Sequence, residues 1–221
     1  MTLFQPLLIL HIATGLAAVV VGFGPLLTRK GSRVHRLWGR AFVGLMTTLL
    51  ACAWAMTAIH FNTYFLALSA TASLTLFSGV RVLRRKRPDV RREDRAGAVD
   101  WAATLGAFGI GVWVLTLLAL GRSDGPPIVS AALAYGALSA GLWDLWRFLR
   151  PGDWPFSADL WNYEHLVKML SAHAAVLSAF SGNFLTFLPP PWSQLWPTVL
   201  FQSTAVIWTA ALIARRRARS A

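Results

Sequence analysis

Apolar residues along this chain gather in seven long runs, at about 4–28, 41–61, 63–80, 101–121, 127–146, 165–188 and 193–214. About 20 helical residues suffice to cross the ~30 Å hydrocarbon core of a bilayer. Within lipid each segment must satisfy its own backbone polar groups, so each run reads as a helix. The pattern predicts an all-α polytopic membrane protein, a seven-transmembrane-helix bundle in which residues 1–221 form a single transmembrane helical domain. Residues 61–63 read as a tight hairpin, and Pro189-Pro190-Pro191 ends the sixth run, because proline cannot continue a helix. The longer connections are 81–100 and 147–164.

Charge orients the bundle. Only 14% of the residues are charged, and 20 of the 21 Lys and Arg fall on one side if the N-terminus lies outside and the C-terminus in the cytoplasm. Arg122 is the exception. Cationic loops resist translocation, so the cytoplasmic side is the basic one. The net charge of +12 is then a topological and lipid-contacting charge. Anionic headgroups are the expected partners, with a membrane-protein partner possible and no nucleic acid. Tryptophans follow the same boundaries, Trp38, Trp101, Trp146, Trp154 and Trp161 inside and Trp192 and Trp196 outside. The first run has no basic n-region, so it reads as an N-out helix and not as a cleaved signal.

Small residues mark helix packing: Ala132, Gly136 and Ala140 in the fifth run, Gly106, Gly109 and Gly111 in the fourth. The first run carries His11 on a face with Thr14, Gly15, Ala18, Gly22 and Pro25. That small, polar face predicts a first helix at the centre of the bundle, with His11 turned inward.

Polar residues inside apolar runs are the candidates for chemistry. They are His11, His173 and Asn183. A second group collects at the cytoplasmic interface: His35 and Arg36 on the loop after the first run, Asp144 ending the fifth, and Glu164, His165 and Lys168 opening the sixth. Asp100 opens the fourth run, where a carboxylate suits a helix N-terminus. These residues predict a cytoplasm-facing polar pocket, in which clustered cations require an anion or a carboxylate between them. Ion pairing such as Asp144 with Arg147 is the structural alternative.

No cofactor and no metal site is expected. Cys52, Met56 and His60 line one side of a helix but spread over ~12 Å, too far for one ion. No His-Glu-x-x-His, paired-cysteine, phosphate-loop, nucleophile-elbow or dinucleotide motif occurs. A b-type haem or quinone-linked electron carrier is the alternative reading; His11 and His173 differ in estimated depth by ~10 Å, a poor axial pair. A small proton-coupled transporter using His11 is a further alternative.

His11-Ile12-Ala13-Thr14-Gly15, Gly22, Lys30-Gly31, His35-Arg36, Gly39-Arg40 and Met46 together resemble the bacterial predicted membrane proteins grouped as domain of unknown function 2306, or near relatives. So do Glu164-His165-Leu166-Val167-Lys168-Met169, Ala179-Phe180, Asn183 and Leu195-Trp196-Pro197-Thr198. The resemblance implies a multi-pass protein of the bacterial inner membrane and no established reaction. In such relatives position 168 is more often Arg and position 173 often Tyr, so His173 is a departure. The expectation is an accessory or binding protein rather than an enzyme.

Overall fold

A computed structural model describes residues 3–151, 160–189 and 191–220. Trp154, Pro190 and the side chains of Arg216, Arg217 and Arg219 lie outside the described residues. The helices are α1 (Phe4–Val21), α2 (Phe23–Leu27), α3 (Arg33–Ile59), α4 (Thr63–Arg81), α5 (Ala98–Ala119), α6 (Pro127–Leu149), α7 (Leu160–Phe184) and α8 (Trp192–Ser220). No strand occurs among the described residues. Six helical segments are long and apolar enough to cross a membrane, α1 and α2 counting together as one. The remaining helix, α7, has 25 residues, but Glu164, His165 and Lys168 make its first turns polar.

Local chemistry explains the boundaries. The first run is one rod with a break at Gly22. Pro25 has no N–H for the carbonyl of Val21, so the hydrogen-bond ladder fails there. The loop expected to hold His35 and Arg36 is helical instead. The Ser32 side chain caps α3 by accepting from the His35 backbone N–H at 3.1 Å, and the helix starts eight residues before the apolar run. Asn62 caps α4 in the same way, accepting from Phe65 N at 3.1 Å. Lys30 Nζ donates to the carbonyls of Pro25 and Leu26 at the end of α2, at 2.6 and 2.8 Å, and lies 4.7 Å from the Trp208 ring centre.

The centre of the bundle is α4, not the first helix. In α4, 61% of the apolar window is buried, against 17% for Phe4–Leu27. The reason is side-chain size. Ala67, Ser69, Ala70, Ala72, Thr75, Ser78 and Gly79 are buried on α4, and such residues let backbones approach closely where lipid offers no hydrophobic drive to association. Helix α4 packs against α3, α5, α6 and α7, while α1 lies on α3 and α7, and α8 on α7. Gly136 of α6 faces Thr71 of α4, and Gly111 of α5 faces Ala137 and Leu138 of α6. Gly106 and Gly109, expected to pack, have open space beside them.

Candidate functional site

At the end of the bundle that carries the Arg-rich connections, α4, α5, α6 and α7 bring together charges that the sequence separates widely. Helices α5 and α6 pack closely, whereas α6 and α7 both lean on α4 and are bridged by long side chains. Lys168 Nζ donates to Asp144 Oδ1 at 2.5 Å. Arg147 Nε donates to Glu164 Oε1 at 3.3 Å, and Trp143 Nε1 to the same oxygen at 2.8 Å. The expected Asp144–Arg147 pair within α6 is therefore replaced by two pairs that cross to α7. Gly79 leaves room for Lys168: a Cβ there would stand 3.1 Å from the lysine Cβ.

A third carboxylate completes the cluster. Asp100, in the first turn of α5, accepts from Gly97 N at 2.9 Å. Arg81 grips it with Nε to Oδ1 at 2.9 Å and Nη2 to Oδ2 at 2.7 Å, a bidentate fork. Arg85, one turn further along the chain, stands 3.7 Å from Asp100 Oδ1. Its guanidinium lies 4.6 Å from the Phe148 ring centre, and its Nε reaches the Asp94 carbonyl at 3.3 Å. Burial pulls the pKa of Arg85 down, opposed by the fields of Asp100, Asp144 and Glu164.

Between these groups is a cavity of about 10 Å³, the room that one water needs. Arg85, Asp144, Arg147, Glu164 and Lys168 line it, with Val82 and Phe148 on its apolar side. Asp144 is 2% exposed, and its Oδ2 has no hydrogen-bond partner among the described residues. The cluster holds the cations Arg81, Arg85, Arg147 and Lys168 against the carboxylates Asp100, Asp144 and Glu164, an excess of one positive charge.

Of the residues expected in the pocket, Asp144, Glu164 and Lys168 line it. His165 stands beside it, its Nδ1 donating to Gly79 O at 2.8 Å. His35 is within electrostatic range of His165 but is tied by Nδ1 to Pro25 O at 3.1 Å and does not line the cavity. Arg36 is exposed and turns back to Gly31 O at 2.5 Å. Arg81 and Arg85, which in the sequence look like topological charge alone, belong to the cluster. Their spacing of one helical turn at the end of α4, opposite the Asp100 of α5, was the available signal.

Two of the three intramembrane polar residues, His11 and His173, tie helices together. His11 is half-buried and donates from Nδ1 to Leu49 O of α3 at 3.1 Å. His173 is fully buried and donates from Nε2 to Val19 O of α1 at 3.1 Å. The rings of Phe23, Phe42 and Phe201 surround it edge-on at 4.8, 5.5 and 5.1 Å. Asn183 is exposed in the last turn of α7 and bonds its own helix at Ala179 O. No group of three or more potential metal ligands occurs among the described residues.

No family profile, curated protein or solved structure matches this chain.

Proposed function

We propose that this chain is a multi-pass protein of the bacterial inner membrane, N-terminus outside, that binds the anionic oxygen of a phosphate group in a cytoplasm-facing pocket. The long apolar helices and the one-sided distribution of Lys and Arg support the architecture and orientation. The single observation that carries the binding reading is the position of Arg85. Arg81 already holds both oxygens of Asp100, which leaves Arg85, a residue lining the cavity, with a long 3.7 Å pair. A guanidinium in that state is a ready partner for an oxyanion, with planar donors that match phosphate. The cavity admits one oxygen-sized atom, so the rest of the ligand stays at the mouth. Phe148 lines the cavity and meets the Trp101 ring edge-on at 5.2 Å, and aromatic rings prefer the headgroup region. A lipid phosphodiester and a free tetrahedral oxyanion share this chemistry.

The test is retention of phosphatidylglycerol by purified protein in nanodiscs, read by native mass spectrometry. Arg85→Gln is expected to weaken retention by about tenfold, the effect of losing one charge-assisted hydrogen bond. Arg33→Gln, at an exposed residue that does not line the pocket, should leave it near wild type. Equal retention in Arg85→Gln and wild type would overturn the reading.

A further inference from the structure

We propose that the pocket takes its anion together with one proton, held on Asp144. This rests on the oxyanion reading of the same pocket. Asp144 lines the cavity; its Oδ1 is committed to Lys168, but its Oδ2 is buried and has no partner among the described residues. A bare carboxylate oxygen there repels an entering oxyanion. Protonated, the same oxygen becomes a donor aimed at the ligand, and an O–H donor to an anionic oxygen makes a short, strong hydrogen bond.

Asp144 is singled out from its neighbours by what each already binds. Glu164 Oε1 is held by Trp143 and Arg147, and Asp100 has both oxygens taken by Arg81 with Gly97 N added. The charged and titratable groups around Asp144 are Glu164, His165 and Lys168 from α7, Arg147 from its own helix, Arg81 from α4, Asp100 from α5, and Arg85 from the segment after α4. The cations Lys168, Arg147 and Arg85 line the pocket beside Asp144 and set its field. An arriving anion cancels that field, so the proton comes with the ligand. Binding and proton uptake are then linked: affinity rises as pH falls, by up to about tenfold per pH unit for one coupled proton.

The experiment uses the full chain in detergent and two probes whose charge is constant between about pH 5.5 and 8: sulfate, and short-chain phosphatidylglycerol. Calorimetry in two buffers of different ionisation enthalpy counts the protons taken up. The expected result is uptake approaching one proton per ligand at the alkaline end, and affinity rising toward acid. Asp144→Asn, which carries a fixed donor, should bind without a pH slope, and Glu164→Gln should keep the slope. Binding of sulfate identifies a site for free oxyanions, and binding of phosphatidylglycerol alone a lipid site; both accommodate the coupled proton. Wild-type binding with no pH slope and no proton uptake overturns this inference while leaving the oxyanion reading intact, as does a slope that survives in Asp144→Asn. Absence of binding by either probe overturns both. If Asp144→Asn is not monodisperse on size exclusion, the wild-type proton count decides alone.

Discussion

Lys168 and Asp144 join α7 to α6 at 2.5 Å, while Arg147 and Glu164 join α6 to α7 in the opposite charge sense. The two pairs act together, since each helix offers one cation and one carboxylate to the other. Removing one partner leaves a buried charge uncompensated. Lys168→Met is expected to destabilise the protein by about 3–5 kcal/mol. The double variant Lys168→Met with Asp144→Leu should recover much of that loss, because an apolar pair has no desolvation cost. Thermal unfolding in detergent, compared across the two singles and the double, checks the coupling.

Gly22 sits where α1 ends, and a Cβ there would lie 2.6 Å from His173 Nε2. That nitrogen holds the Val19 carbonyl. Gly22→Ala must push the imidazole out of its three-phenylalanine surround, at a cost of about 1–3 kcal/mol. Gly106→Ala, with open space beside it, should instead be neutral or stabilising by about 0.5–1 kcal/mol. A melting temperature that falls equally for both variants would contradict this account.

Asp124, on the connection before α6, accepts at Oδ2 from Thr63 N at 2.8 Å and Thr63 Oγ1 at 2.5 Å. These bonds hold its pKa below the ordinary carboxylate value. Because the folded pKa is the lower one, the stabilisation is complete above the unfolded pKa and disappears as pH falls through the folded one. Thermal stability should therefore drop on acidification below about pH 4. In Asp124→Ala that part of the drop should be missing, with lower stability at pH 7. Melting curves from neutral to acid pH measure both.

The charge asymmetry sets the threading. Reporter fusions after residue 90 and after residue 221 should both read cytoplasmic, since both follow segments rich in Arg. A periplasmic signal at either position would contradict the proposed orientation.

The runs of apolar residues and the placement of Lys and Arg were enough to give the helical class, nearly every helix and the Arg-rich end of the bundle. Those are properties of local stretches, because bilayer thickness selects helix length and each residue is charged or not wherever it packs. Half of the pocket was legible for the same reason: Asp144, Glu164 and Lys168 are ionisable residues at the border of apolar runs. The start of α3 is not marked by hydropathy, which changes at Ala41, because the helix is set by the Ser32 cap. The rest depended on which helices meet. Small residues occur in α1, α4, α5 and α6 alike, so their pattern could not say that α4 would be central or that Gly106 would face outward. The charged side chains likewise had several possible partners. Only the packing of α6 and α7 on α4 gave Lys168 to Asp144 and Arg147 to Glu164, set Arg85 and Asp144 at the cavity, and left Asp144 Oδ2 buried without a partner among the described residues.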